Sequence, residues 1–142
     1  MANDFLFSSK RHLRCAEVLD KNTEHADAAH LYGLAAECAV KSVLLGASII
    51  LPTSDNDIPR GNRYRSHINL IVRILGSIQS GRTHQALFAM LQPDIQSFST
   101  WNVDDRYKNE TAIAMGDYAR WKQAAAKANA MLILAASQGC AL

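Results

Sequence analysis

The amino-acid sequence predicts an all-α protein, an up-and-down bundle of four to five mostly antiparallel helices. Apolar residues recur at helical spacing in several stretches. No stretch alternates convincingly between apolar and polar residues with the period of two that is typical of a half-buried strand. If residues 24–47 form a helix, apolar side chains cover almost all of its circumference, which is typical of a helix inside a bundle. We therefore expect the other helices to pack around this central helix.

The first two predicted helices are joined by a very short connection. An amphipathic helix is predicted over residues 4–21, and either Asp4 or the pair Ser8–Ser9 can cap its start. Only Asn22 and Thr23 separate it from the central helix. So short a connection predicts that the two helices are antiparallel neighbours.

Two further helices are predicted after a loop. The loop covers residues 51–66, which are rich in Pro, Gly, Asn, Asp and Ser. Ser66 is expected to cap a helix over residues 67–77, whose apolar residues keep helical spacing. The next helix is predicted over residues 83–91, and Pro93 is expected to end or kink it.

The last helix is predicted to follow an irregular connection over residues 99–116. Asp117 is expected to cap this helix, which runs to about Gln138 and ends at Gly139. Its apolar residues recur at alternating steps of three and four, which predicts a seam that packs on other helices. The seam consists of Tyr118, Trp121, Ala125, Ala128, Leu132 and Ala135.

Length and composition are those of one globular domain. The 142 residues are expected to form a single domain with its core over about residues 5–138. The net charge of +2 is too small to predict nucleic-acid binding by itself, so such a function would depend on the local placement of arginine. Of the three cysteines, Cys15 and Cys38 are expected to be small core residues, and Cys140 is expected in a frayed tail.

The sequence predicts a cytoplasmic protein without membrane contact. Residues 1–15 lack the continuous apolar core of a signal peptide. The longest nearly apolar run, residues 42–52, is far shorter than the roughly 20 residues of a membrane-spanning helix. Three cysteines without metal-ligand spacing favour a reducing compartment.

The main functional clue is a polar stripe on the central helix. Because each residue advances about 100° around the axis, Asp27, His30, Glu37 and Lys41 share one sector with only Leu34 among them. Glu37 and Lys41 are four residues apart, in the order that favours a helical ion pair. The stripe could line a ligand cleft, or the pair could be an internal ion pair that fixes helix packing.

Further candidate residues lie in the segments that flank the helices. Arg60, Arg63 and Arg65 could contact phosphate groups, or they could simply be solvated in a flexible loop. His67 is expected in the first turn of a helix, where the helix dipole favours a neutral imidazole, suited equally to a general base and to a structural role. Arg106 could bind a phosphate with two hydrogen bonds, or it could pair with a neighbouring carboxylate.

No motif predicts a metal or a cofactor. The sequence contains no Walker phosphate loop, Rossmann glycine fingerprint, HExxH zinc motif or nucleophile elbow. His25 and His30 are five residues apart, which places them on different faces of a helix. Metal-based catalysis is therefore not expected.

The central helix resembles the second helix of HEPN (higher eukaryotes and prokaryotes nucleotide-binding) domains. The segment AHLYGLAAECAVKSVLL carries a pattern like A-G-x-A-x-E-x-x-x-K, in which Gly33, Ala35, Glu37 and Lys41 take the typical positions. The segment SHINLIVRIL is similar to the third helix of that family, which begins with a histidine, here His67.

A third segment extends the resemblance to about residues 5–138. The RY of DDRYKNE, Arg106 and Tyr107, resembles the Arg-Tyr that members often carry just before the last helix. The resemblance implies a HEPN-like bundle that commonly forms homodimers, binds nucleotides or RNA, and is often encoded beside a minimal nucleotidyltransferase. Many members are metal-independent ribonucleases of toxin–antitoxin and defence systems, with an Arg-x(4–6)-His motif near the last helices.

The chain departs from that ribonuclease motif. No histidine follows Arg106, and Arg60 and His67 have the right spacing but precede the third helix. The sequence therefore predicts a non-catalytic module for a nucleotide, RNA or a partner protein such as a minimal nucleotidyltransferase. Its expected ligand-binding residues are Glu37, Lys41, His67, Arg106 and Tyr107. The alternative is a metal-independent ribonuclease in which His67 is the acid or base and Arg60 or Arg106 stabilises the phosphorane charge.

Overall fold

The computed structural model describes residues 3–142, apart from the side chain of Glu110, and these residues form a helical bundle without strands. The five α-helices are α1 (Phe5–Lys21), α2 (His25–Gly46), α3 (Ile68–Ile71), α4 (Arg82–Ile95) and α5 (Met115–Ser137). Helix α2 contacts α1, α3 and α5, and α5 also contacts α4. The all-α class and the bundle architecture are therefore confirmed.

Helices α1 and α2 form a hairpin that begins and turns as expected. Asp4 caps α1, since its Oδ1 accepts a hydrogen bond of 2.8 Å from the amide of Phe7. At the turn, Thr23 takes the left-handed conformation with φ +62°. Two backbone hydrogen bonds of a Schellman motif close the end of α1 there.

A buried hydroxyl joins three helices of the bundle. Ser9 of α1 is fully buried, and its Oγ donates to the carbonyl of Ala35 at the middle of α2 at 2.8 Å. The amide nitrogen of Asn129 in α5 donates to the same Oγ at 3.3 Å. Because Ser9 lies near the start of α1, its contact with Ala35 agrees with an antiparallel hairpin.

Helix α2 is apolar because it forms the core. In the part of the chain that the structure describes, it is the one helix with the length and mean hydropathy (1.2) of a membrane-crossing helix. Of the 18-residue window with that hydropathy, 72% is buried inside the bundle. Core packing thus accounts for its composition, and the cytoplasmic location stays a prediction.

The helix predicted over residues 67–77 is much shorter in the structure. Helix α3 has four residues, and a separate 3-10 turn (Leu75–Ser77) follows it. Ser66 does not cap α3, because its hydroxyl donates to the carbonyl of Arg63 at 3.2 Å. The carboxylate of Glu37 accepts the first backbone amide of α3 instead. The start of α3 is therefore fixed by a distant side chain.

Pro93 lies inside α4 and does not end it. The helix continues to Ile95, which is buried, and a 3-10 turn (Gln96–Thr100) follows. A proline removes one helical hydrogen bond, and only two residues of α4 follow Pro93. An ion pair of 2.7 Å between Lys127 and Asp94 joins this end of α4 to α5.

Helix α5 begins at Met115, two residues before the predicted cap. Asp117 is therefore inside the first turn, where its carboxylate accepts a hydrogen bond from Arg120. Gly139 ends the helix as predicted, in the left-handed conformation with φ +84°. The predicted seam is confirmed, because all its members are buried except Ala135, which is half-buried.

Two of the cysteine predictions are wrong. Cys15 is exposed, because it lies on the outer face of α1 with Arg11 and Val18, one helical turn before and after it. Cys140 is not in a frayed tail, since its amide donates to the carbonyl of Ala135 at 3.0 Å. Cys38 is half-buried, and this burial raises the pKa of its thiol to about 11.

Candidate functional site

The carboxylate of Glu37 lies inside the protein and joins α2 to the start of α3. Its Oε1 accepts a hydrogen bond of 2.7 Å from Nζ of Lys41, so the helical ion pair forms as the spacing predicts. Its Oε2 lies 3.1 Å from Nδ1 of His67 and accepts the backbone amide of Ile68 at 3.2 Å. Glu37 and Lys41 are only 7% and 8% exposed. Both carboxylate oxygens therefore have partners within the chain.

These contacts give Glu37 a structural role. Burying an ion pair costs desolvation free energy, which further hydrogen bonds to the pair can offset. Here Glu37 also accepts an amide at the start of α3, where helical amides have no partner within the helix. Of the two roles that the sequence leaves open for Glu37 and Lys41, the geometry favours the internal ion pair.

Trp101 packs against α2 through a gap that Gly33 provides. The indole Nε1 donates to the carbonyl of Ala29 at 2.9 Å, and the Trp101 side chain is 2% exposed. A Cβ atom added at Gly33 would lie 2.0 Å from the indole ring, well inside van der Waals contact. Gly33 is therefore required for the indole to approach the helix.

Two histidines, His30 and His67, contact Trp101, and a third, His12, is electrostatically coupled to Glu37 and His30. We call His12, His30 and His67 the histidine cluster. The ring of His30 stacks on Trp101, with centroids 6.1 Å apart and an angle of 13° between the planes. The ring of His67 meets Trp101 edge-on, at 6.2 Å and 62°. Among the described residues, Nδ1 of His30 is buried without a hydrogen-bond partner.

The histidines on α1 and α2 are electrostatically coupled to this site. Burial lowers the pKa of His12, and the positive charge of Arg11 lowers it further, partly opposed by Glu37. Burial also lowers the pKa of His30, and the charge of Arg106 adds to this effect, partly opposed by Asp27. Both imidazoles are therefore mainly neutral at pH 7.

These two lowered pKa values predict a loss of stability in mild acid. At pH values between the lowered pKa of each histidine in the folded protein and the ordinary value of 6.5, the unfolded chain binds more protons than the folded chain. The free energy of unfolding should therefore fall as the pH drops below about 6.5. We expect a lower Tm at about pH 5.5 than at about pH 7.5, and a smaller difference in a protein carrying His12→Gln and His30→Gln. An equal pH dependence in both proteins would contradict this prediction.

Arg106 and Tyr107 form an exposed pair beside the histidine cluster. They lie in a 3-10 segment (Val103–Tyr107) that contacts α2. The guanidinium carbon of Arg106 lies 4.6 Å from the ring centroid of Tyr107, and Tyr107 is 75% exposed. The neighbouring Asp105 pairs with Lys108 at 3.0 Å. In the described part of the chain, no carboxylate pairs with Arg106.

Two of the three arginines of the 51–66 loop have local partners. Arg63 lies over the ring of Tyr64, 5.1 Å from its centroid, and donates to the hydroxyl of Ser77 at 3.2 Å. Arg65 pairs with Asp57 at 3.2 Å and donates to a backbone carbonyl. Arg60 lies in an open depression together with Arg65 and two acidic residues, Asp55 and Asp57. No described hydrogen bond or ion pair links these arginines to the histidine cluster.

Sequence reasoning missed two members of the site, Trp101 and His12. Trp101 lies in a segment without a helical period, and His12 was not distinguished from the other polar residues of α1. A usable signal for Trp101 is a large aromatic residue in an otherwise polar segment, together with a glycine inside an apolar helix. His12 gives no comparable signal. Its place in the site depends on the packing of α1 on α2.

Comparison of the chain with protein-family models, with curated proteins and with solved structures finds no match. The HEPN resemblance therefore stays a prediction from sequence motifs. Among the described residues, no group of three or more His, Cys, Asp or Glu side chains is arranged to hold a metal ion.

Proposed function

We propose that this chain is a non-catalytic, HEPN-like module that binds a nucleotide or RNA through His30, His67, Arg106 and Tyr107. We call these four residues the ligand surface. The observation that supports the proposal best is the exposed Arg106–Tyr107 pair beside the histidine cluster. A guanidinium that pairs with none of the described carboxylates can bind phosphate with two hydrogen bonds, and an exposed aromatic ring can stack on a base.

Buried residues hold the histidines of the ligand surface in place. Glu37 fixes His67 through Nδ1, and Trp101 contacts the rings of both His30 and His67. A ligand would therefore meet imidazoles whose orientation is already set, which reduces the entropic cost of binding. We assign Glu37 and Lys41 to this support and not to ligand contact, because their charged groups pair with each other inside the protein.

RNA binding can be measured by fluorescence anisotropy with a fluorescein-labelled single-stranded RNA in EDTA. We expect Arg106→Ala to weaken binding about tenfold, as for loss of one charge-assisted hydrogen-bonding group. The slope of log K against log salt should become shallower by about 0.7 if one phosphate contact is lost. Arg120→Ala is the matched control, because it removes the same charge from a residue paired with Asp117 on α5. Equal losses in both variants would contradict the role of Arg106, and no binding by the parent protein would contradict RNA as the ligand.

One observation favours the alternative, a metal-independent ribonuclease. A carboxylate can only accept hydrogen bonds, so the contact of Glu37 with His67 places a proton on Nδ1 and leaves Nε2 as the atom that can accept one. The His67 side chain is 48% exposed, so Nε2 could act as a general base on a 2′-hydroxyl. Arg106 or Arg60 would then stabilise the phosphorane charge.

A cleavage assay separates the two candidate functions. A mixed RNA pool is incubated with the parent protein in EDTA, beside His67→Ala and Arg106→Ala. Our proposal expects no cleavage by any of the three proteins. Cleavage by the parent protein that is lost in either variant would identify a ribonuclease and overturn the non-catalytic assignment.

We further propose that the module is a homodimer and has a partner protein, such as a minimal nucleotidyltransferase of a toxin–antitoxin or defence system. This part of the proposal is supported by the HEPN resemblance alone. Light scattering of the purified chain measures its oligomeric state. A monomer at all concentrations tested would contradict the dimer.

A further inference from the structure

A cavity lies between the start of α1 and the C-terminal end of α2. Its volume is about 570 Å³, within the range that is typical of small-molecule sites. Residues 3–6 line it from α1, and Ser42, Leu45 and Gly46 line it from α2. Residues three or four apart on a helix share one face, so α2 presents a single face to the cavity. No residue of the ligand surface lines this cavity, which is therefore a separate candidate site.

Two segments that line the cavity are fixed in place by backbone contacts. The amide of Asn3 donates to the carbonyl of Asp55 at 2.7 Å, and Nδ2 of Asn56 donates to the carbonyl of Asn3 at 2.7 Å. These bonds join the 51–66 loop to the start of α1. The backbone of Ala141 lies against α2, because a Cβ atom at Gly46 would be 2.0 Å from its carbonyl oxygen. A ligand therefore meets a site that is already formed, which lowers the entropic cost of binding.

Ser42 brings a buried hydroxyl to this cavity. The residue is only 2% exposed, and its Oγ has no hydrogen-bond partner among the described residues. A serine inside a helix can donate to the carbonyl four residues earlier, here that of Cys38, but this bond is not formed. A buried hydroxyl without a partner lowers stability. Because Ser42 lines the cavity, a bound ligand can supply the missing partner.

The start of α1 adds hydrogen-bond donors and one negative charge. The amides of Phe5 and Leu6 lie in the first turn, and no described residue accepts a hydrogen bond from them. Such amides have no partner within their helix, and the helix dipole favours an anionic group beside them. Asp4 is at the same end, where its Oδ1 accepts the amide of Phe7. In the described part of the chain, no cationic side chain pairs with Asp4.

We propose that this cavity binds a free α-amino acid with an apolar side chain. The carboxylate of the ligand accepts hydrogen bonds from the amides of Phe5 and Leu6 and from the hydroxyl of Ser42. The ammonium group of the ligand donates to the carboxylate of Asp4 and to Oδ1 of Asn56, whose Nδ2 is already used by Asn3. Each charge of the ligand thus meets groups of the opposite polarity.

The charges around the cavity favour a zwitterion over an ion of either sign. An anion without an ammonium group would be repelled by Asp4, and a cation without a carboxylate would be repelled by the positive end of the α1 dipole. Leu45 and Pro52 also line the cavity and give the apolar side chain of the ligand a surface to pack on. Burial of that side chain adds a favourable hydrophobic contribution.

Isothermal titration calorimetry of the full chain tests the class of ligand. The probes are L-leucine with its analogues isocaproate and isoamylamine, and L-phenylalanine with hydrocinnamate and phenethylamine. In each pair of analogues, the first lacks the ammonium group and the second lacks the carboxylate. We expect at least one of the amino acids to bind, and both of its analogues to bind about tenfold more weakly. No binding of either amino acid, or an analogue that binds as tightly as its amino acid, would overturn the proposal.

Asp4→Asn tests the contact with the ammonium group without removing the helix cap, because Asn caps helices as well as Asp does. The affinity for the amino acid should fall about tenfold, whereas the affinity for the analogue without an ammonium group should not fall. Asp27→Asn is the matched control, since it removes an exposed carboxylate from the first turn of α2, outside the cavity. Equal affinities of the two variants for the amino acid would overturn the zwitterion assignment.

Ser42→Ala separates ligand binding from a structural role of the hydroxyl. The affinity for the amino acid should fall about tenfold, as for loss of a hydrogen bond to a charged group. The Tm of the protein without ligand should stay unchanged or rise, because a buried hydroxyl without a partner is removed. A lower Tm with unchanged affinity would assign the hydroxyl to the fold and overturn its place in the site.

Discussion

We expect the substitution Gly33→Ala to lower the free energy of unfolding by about 2–4 kcal/mol, as for overpacking in a core combined with displacement of a tryptophan. A methyl group at this position would lie 2.0 Å from the indole of Trp101, so the ring would have to move. Its hydrogen bond to Ala29 and its stacking on His30 would move with it. Alanine has the higher helix propensity by about 1 kcal/mol, which offsets only part of this cost.

Chemical denaturation followed by far-UV circular dichroism measures this change. Gly116→Ala is the matched control, because a methyl group there would have free space around it. The nearest neighbouring atom, on the side chain of Arg120, is 4.0 Å away. The control should be neutral or slightly stabilising. A protein with Gly33→Ala that is as stable as the control would show that the indole does not occupy this gap. Combined with Trp101→Leu, Gly33→Ala should cost less than alone, because the clashing ring is gone.

The second large effect is expected for Glu37→Ala, which should cost about 3–5 kcal/mol, as for removal of one partner from a buried ion pair. Lys41 would keep a charge in an environment where it is 8% exposed and has lost its carboxylate. The first amide of α3 and Nδ1 of His67 would lose an acceptor as well. The ligand surface should therefore become less ordered together with the core.

Two variants check the physical reason for this loss by the same denaturation measurement. Asp27→Asn changes an exposed carboxylate in the same stripe and should stay within about 0.5 kcal/mol of the parent protein. Glu37→Met combined with Lys41→Met removes both charges and should be more stable than Glu37→Ala, since no unpaired charge stays buried. A small cost for Glu37→Ala alone would mean that the ion pair does not hold α3 in place.

The sequence was sufficient for those parts of the fold that repeat with helical period. The all-α class, the central α2 and the seam of α5 follow from the spacing of apolar residues, and capping chemistry gives Asp4 as one of two alternatives for the start of α1. The Glu37–Lys41 pair is also local, since residues four apart on a helix are neighbours. Its burial could not be predicted, because it depends on which segments cover the stripe.

The features that sequence reasoning missed depend on contacts between distant segments. Trp101 does not belong to a run of apolar residues with helical spacing. Its position is set by the gap at Gly33, 68 positions earlier in the sequence. Helix α3 keeps the apolar spacing of a longer helix, but its start is set by Glu37 and it ends after four residues. Local patterns contain no information on such contacts, so they could not be placed without the structure.

The wide separation in sequence between Trp101 and its site on α2 has a consequence for the order in which the chain folds. The α1–α2 hairpin closes through a turn of a few residues, whereas the indole must bridge a loop of 72 residues to reach Ala29. Closing so long a loop costs entropy that local contacts do not. We therefore expect the hairpin to form before the indole docks. Gly33→Ala should then act mainly by speeding unfolding, while the folding rate changes little.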